Sequence, residues 1–358
     1  MLTDEAATLV PAAPARRLAP VLRPVLLAVL PVAAALFASG LVLLAVGVDP
    51  IAYYTLVVRR GLLSPRGLQE TITRTAPLLL LGSSLLLSFR AGLWNLGVDG
   101  QFLLGAVLTA AVAPWAAQAM PLWLALPLCM LVGMATAAAW ALLPALLRAF
   151  QGINEIITTL MMNFLGVSLA NVLIKLVVTD PATTIPITRT LPVEDRLPRL
   201  FGTTVSLGVP LALVVLITVH WVMTRTAWGL RLRMLGANPR AATHAGLDVR
   251  RLTVASIVGS GALAGLAGAV VVLGTLGNVR AEWNPAYGMA IIPLVFLARM
   301  NGWAVIALVF LFAMLSIGAE SAAIRLGVPH YYNFALVGLL LLFLGLVEYL
   351  DARRRESA

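Results

Sequence analysis

From Pro24 onward the chain is a succession of apolar runs long enough to enter a bilayer. Most of them stop at an arginine: Arg90, Arg148, Arg225, Arg299 and the Arg353–Arg355 cluster. Nothing else limits the fold as much, because a run of about 20 apolar residues is the length a helix needs to cross hydrocarbon. With 61% hydrophobic residues, 11% charged residues and a mean hydropathy of +0.97, a soluble domain of 358 residues could not bury so much apolar surface. The fold class expected is all-α, a polytopic membrane protein. A net charge of +10 would point to nucleic acid in a soluble protein. Here the arginines gather between apolar runs, where a cationic excess sets topology and calls for no nucleic-acid partner.

About ten spans fit, near residues 24–47, 75–89, 98–117, 121–148, 153–178, 205–223, 253–276, 286–298, 303–319 and 333–349. They form a transmembrane domain over 24–350, between cytoplasmic tails at 1–23 and 351–358. The first run, Pro24 to Val48, exceeds the roughly 7–15 residues of a signal-peptide core and reads as a retained span. Residues 48–74 form an outer segment with a short helix near Ile51–Arg60, and 179–204 a proline-marked outer loop. Residues 224–252 lie in the cytoplasm. This arrangement places about fifteen basic residues inside and about ten outside, as the positive-inside rule requires. Merging the short eighth and ninth spans would give nine.

Between two apolar runs, the stretch Phe89 to Ala106 carries Arg90, Asn95, Asp99, Gln101 and four glycines. Polar groups and broken backbone at membrane depth are costly unless they line a wet cavity or are buried in protein. The stretch is either a place for transport chemistry or a plain cytoplasmic turn. A second polar group follows: Gln151, Asn154, Glu155, Thr158, Thr159 and Asn163. Asn154 and Thr158 share one helical face. Neutral hydrogen-bonding groups there suit an uncharged, hydroxyl-rich solute, or they bond one helix to another. Glu155 fits a helix N-terminal position. Gly261, Gly265 and Gly268 make a small-residue surface for close helix packing.

Enzyme signatures are missing. His220, His244 and His330 stand far apart, so no metal site is expected, and the lone Cys129 excludes an intramolecular disulfide. A phosphate-binding G-x-x-x-x-G-K-[ST] loop cannot occur, because the sole lysine is Lys175, preceded by Ile174. Any coupling to ATP has to come through a separate subunit. A docking element for one is legible in the cytoplasmic segment: Asn238 can cap a helix opened by Pro239 and closed by Gly246, spanning 239–245. So short a helix is marginal alone in water and is better explained by a partner surface.

Three runs carry a resemblance: F-R-A-G-L-W-N-L-G-V-D-G-Q-F-L-L-G-A at 89–106, F-Q-G-I-N-E-I-I-T-T-L-M-M-N-F at 150–164, and G-L-R-L-R-M-L-G-A-N-P-R-A-A-T-H-A-G at 229–246, the last continued by S-G-A-L-A-G-L-A-G-A at 260–269. Over roughly half its length the chain resembles the permease subunits of ATP-binding-cassette (ABC) importers for ribose, nucleosides and branched-chain amino acids, and it is nearest the nucleoside/simple-sugar branch. The resemblance implies a second permease, ATPase subunits that hold ATP and Mg, an extracytoplasmic substrate-binding protein, and a place in the bacterial inner membrane. No cofactor is expected in this chain. It further implies an ATPase-coupling group of Arg231, Arg233, Gly236, Asn238, Pro239, Arg240, Ala241, Ala242 and Gly246. Asn95, Asp99 and Gln101 would stand near the inner gate, and Asn154, Glu155, Thr158 and Asn163 along the path. The family often has Glu where this chain has Asp99, which leaves that position's role open. The alternatives are an ion-driven transporter using Asp99 and Glu155, and an ABC permease for another solute such as a branched-chain amino acid.

Overall fold

The computed structural model describes residues 19–200, 202–328 and 332–356. Most of the expected 1–23 tail, including Arg16 and Arg17, and the last two residues of the 351–358 tail lie outside the described residues.

Every regular element among the described residues is helical. Helix α1 spans Ala19–Ala45 and so starts inside the expected tail. Helix α2, Pro50–Val58, is capped by Asp49, whose carboxylate accepts from Ile51 N. A wider π-type turn over Arg59–Leu63 leads to Ser64, which caps α3, Pro65–Arg90. The outer segment 48–74 is therefore largely helical, and the second span begins ten residues earlier than its hydropathy suggested. Pro50 and Pro65 each open a helix at a position where the missing N–H costs nothing.

Beyond the break at Ala91–Gly97 come α4 (Val98–Ala119), α5 (Leu122–Gln151) and α6 (Glu155–Leu176). A long connection, pinned at its edge to residues 277–281 by backbone bonds such as Thr188 N to Val279 O, precedes α7, Gly208–Arg225. The expected cytoplasmic segment holds two helices, α8 (Ala227–Ala237) and α9 (Pro239–His244), before α10, Val249–Val271, which a π-type turn extends to Leu276. Helices α11 (Tyr287–Leu297), α12 (Gly302–Leu326) and α13 (Tyr332–Glu356) complete the fold; α13 carries helix through Arg353–Arg355, where a tail was expected.

Among the described residues seven helices are long and apolar enough to cross a membrane: α3, α4, α5, α6, α7, α10 with its extension, and α12. The expected eighth span falls short. Helix α11 has eleven residues, rises about 16 Å and covers only half of a core about 30 Å thick.

Helix α3 is the hub, with Leu78–Leu81, Ser83–Leu86 and Ser88 all essentially inaccessible between α7, α10, α11 and α12. The tightest contact joins α10 to α4 and α5. A Cβ on Gly265 would stand 2.2 Å from Gly133 O, and one on Gly105 2.6 Å from Gly265 Cα. Gly261 faces Ala137 and Ala141 on α5, whereas Gly268 faces the Phe102 carbonyl on α4. With no hydrophobic drive between helices in lipid, such backbone approach supplies much of the association energy.

Candidate functional site

The break between α3 and α4 is a re-entrant turn. Gly92 adopts φ +70° and Leu93 N donates back to Ser88 O, reversing the chain at the end of α3 that lies beside α8. Asn95 then returns to the depth of Ser84. Its Nδ2 donates to Gln101 Oε1 and Ser260 Oγ, both at 2.9 Å, and its Oδ1 accepts from Gly97 N at 3.1 Å and Gln101 Nε2 at 3.2 Å. Ser84 Oγ stands 2.8 Å from Ser260 Oγ and bonds Ser260 O at 2.7 Å. Asn95 and Gln101 are wholly inaccessible. This network locks α3, α4 and α10 together with its side-chain amides satisfied, as low-dielectric surroundings demand.

The other predicted residues lie around it in separate contacts. Asn163 Oδ1 accepts from Gly100 N at 2.7 Å, holding α6 to the first turn of α4. Thr159 Oγ1 accepts from Leu96 N at 3.1 Å and donates to Glu155 O at 2.6 Å. Glu155 is buried and pairs with Arg148 Nε at 3.1 Å across the α5–α6 corner. Asn154 is the exposed cap of α6, accepting from Ile156 N, while Thr158 donates to the Asn154 and Glu155 carbonyls of its own helix. Asp99 is 4% exposed and points away from the Asn95 network. Its two oxygens accept from Gly288 N (2.6 Å) and Met289 N (3.2 Å), so it caps the half-length helix α11.

Sequence reasoning passed over Ser84 and Ser260. The available signal was hydroxyls inside otherwise apolar runs, Ser83–Ser84 and the i, i+4 pair Ser256/Ser260.

Below this layer α8 rests on the bundle through Leu232 and Leu235, which pack with Leu87, Ala91, Leu93, Met223 and Ile257. A Cβ on Gly236 would stand 2.7 Å from Arg90 O and 2.8 Å from Gly92 N, so α8 sits directly on the re-entrant turn. Arg90 in turn donates to Met300 O at 2.6 Å, and Gly302 N to His220 Nδ1 at 3.2 Å, tying the turn to the α11–α12 corner and to α7. Asn238 Oδ1 accepts from Arg240 N (3.0 Å) and Ala241 N (3.1 Å), Pro239 opens α9, and Gly246 leaves it at φ +77°. Arg231, Arg233, Arg240 and Ala241 are exposed, whereas Ala242 is turned inward. Among the described residues no three His, Cys, Asp or Glu side chains come together to hold a metal.

The chain matches the family described as branched-chain amino acid transport system, permease component, over residues 67–345. It belongs to that family. It is thus a permease component of a membrane transport system, a multi-pass protein. It is 33% identical to the glucose ABC transporter permease protein TsgB13 of Haloferax volcanii, over 91% of this chain and 88% of that one. Similarity to the guanosine ABC transporter permease protein NupP of Bacillus subtilis is 32% identity over 76% and 79%. A second guanosine permease of that organism, NupQ, matches at 26% over 56% and 65%. No solved structure matches the chain.

In this permease the capping of α11 by Asp99 has a measurable consequence. Asp99→Ala strips the buried Gly288 N–H and the part-buried Met289 N–H of their acceptor, and a buried orphaned group costs about 1–3 kcal/mol. The melting temperature of the purified permease is expected to fall clearly, with Asp99→Asn, which keeps one acceptor oxygen, falling less. Equal melting of all three proteins would show that the cap contributes nothing.

Proposed function

We propose that the chain forms the translocation path of an ABC importer for a nucleoside or a related small hydroxylated solute, a sugar or nucleobase. Support for the solute class comes from the relatives named for glucose and guanosine, both uncharged and rich in hydrogen-bonding groups. Two guanosine permeases in one organism, NupP and NupQ, both resemble this chain, which supports pairing with a second, non-identical permease. A separate ATPase holds ATP and Mg, and an extracytoplasmic binding protein delivers the solute. The complex lies in a bacterial inner membrane with α8 and α9 in the cytoplasm. The chain passes the membrane ten times with both termini inside, α11 and the extended residues before it making one pass. Asn95, Asp99, Gln101, Asn154, Glu155, Thr158 and Asn163 border or brace the path.

One observation carries the coupling mechanism: Gly236 of α8 lies on the Arg90–Gly92 turn with no room for a side chain. Helix α9, with Arg231, Arg233 and Arg240 exposed around it, docks into the ATPase. Its displacement on ATP binding moves α8, and α8 pushes the re-entrant turn and, through Arg90 and Met300, the α11–α12 corner. An ion-driven mechanism would require Asp99 or Glu155 to release the partners each already holds.

Gly236→Val tests this in the co-expressed complex reconstituted into proteoliposomes. Basal ATPase is expected to persist while ATP-driven guanosine or glucose uptake falls about tenfold or more, the size of a coupling free energy of 1–2 kcal/mol. Undiminished uptake would refute the linkage.

A further inference from the structure

Helix α11 starts about 16 Å from the α11–α12 corner, by the rise of its eleven residues. Its first residue therefore lies near mid-depth, and Trp283–Ala286 reach it from the far end of the bundle without helical hydrogen bonding. Glu282 and Ala286 bracket this strap in left-handed conformations, φ +65° and +51°, which non-glycine residues adopt at a cost and which gather at ligand-holding sites. Asn284 is exposed and Trp283 and Tyr287 half-buried.

Among the described residues, the Asn284 backbone N–H, its Nδ2, Trp283 Nε1 and the Tyr287 hydroxyl have no hydrogen-bond partner. The Asn284 Oδ1 is spent on Ala286 N. Exposed non-helical backbone with open donors does not face lipid; at this depth it lines water or protein. The two rings are not loose, because both pack on Phe102, with centroids 5.9 Å away. The positive end of α11 is already filled by the Asp99 carboxylate, and Arg74, which lies near Tyr287, is paired with Glu320, so neither offers an anion a free positive charge.

We infer that Trp283, Asn284 and Tyr287 form a solute-contacting strap in the aqueous path, taking a flat, uncharged, hydrogen-bonding ring. The inference rests on the permease reading above and adds residues to it. Aromatic faces bind such a ring by stacking, while the open donors on Trp283, Asn284 and Tyr287 read its oxygens and nitrogens.

The test uses the whole reconstituted complex, with the buried Cys129 replaced by Ser. Asn284→Cys is compared with Leu131→Cys and Leu165→Cys, exposed apolar positions on α5 and α6. The reagent is a charged, membrane-impermeant methanethiosulfonate, which needs a hydrated thiolate. Asn284→Cys is expected to react at least about tenfold faster than either control, because thiolates form only where water reaches, and vanadate trapping with ATP is expected to change that rate. A rate no greater than the controls overturns the inference. Guanosine or glucose, whichever the complex takes up, is expected to slow the labelling of Asn284→Cys, and labelling that a transported solute leaves unslowed overturns the solute contact. If the wild-type complex takes up neither, the solute reading fails, and the labelling rate still judges the strap.

Discussion

Gly265→Leu is expected to remove the folded permease from the membrane almost entirely. The site has no slack in three directions: Gly133 O would lie 2.2 Å from the new Cβ, Ala137 Cβ 2.6 Å, and Gly105 on α4 is packed against the same residue. Overpacking a flexible core costs about 1–3 kcal/mol. Here the obstacles are a backbone carbonyl and two backbone segments that cannot rotate aside, so α10 must part from α5 or α4. That separation opens the Asn95–Ser260 contact as well, because Ser260 lies on the same helix. The yield of monodisperse protein after detergent extraction measures the effect. Gly345→Leu, where no described atom beyond its own helix backbone lies within 4 Å of an added Cβ, is the matched control and is expected to behave as wild type. Equal yields from both variants would contradict this packing of α10 on α4 and α5.

The second large effect concerns power transmission. Gly246→Pro is expected to abolish ATP-driven uptake while leaving insertion and melting temperature near wild type. Gly246 closes α9 at φ +77° and donates from its amide to Thr243 O. Proline imposes φ near −65° and has no N–H, so the turn cannot form as it stands. Its surroundings are open, with no described atom beyond its chain neighbours within 4 Å of the position where a Cβ would be, so the damage stays local to α9. Deleting 238–246 is expected to act in the same way. Uptake and ATPase measured side by side decide the matter: a Gly246→Pro complex that still accumulates solute would show that α9 carries no stroke.

The short helix at 239–244 was legible in the sequence because all its determinants are local. Asn238, Pro239 and Gly246 act on backbone groups within three or four residues, and only its final residue was misjudged. The break at 91–97 was legible for a similar reason, as glycines and polar residues interrupted an otherwise apolar stretch, but its return into the bundle was not, because the Ser260 that Asn95 meets lies on α10. The helix α8 was passed over because its polar face hid a short apolar stripe, Leu232 and Leu235, whose partners lie on other helices. Asp99 was expected beside Asn95 and Gln101, but helical spacing turns it to another side of α4, where it meets α11 from 189 residues away.

By itself the sequence determined that the chain is helical and membrane-embedded, since hydropathy and run length answer to the bilayer and not to any tertiary partner. It also determined the cap of α9, because Asn238, Pro239 and Gly246 act through local hydrogen bonds, whereas the cap of α11 comes from a remote helix. Only the tertiary structure decided which polar side chains meet, that Asp99 caps α11, and that α8 bears on the Arg90–Gly92 turn. Those outcomes depend on approach distances of a few ångströms between segments remote in the chain, and in hydrocarbon such contacts are selected by packing and hydrogen-bond satisfaction, for which a linear pattern has no record.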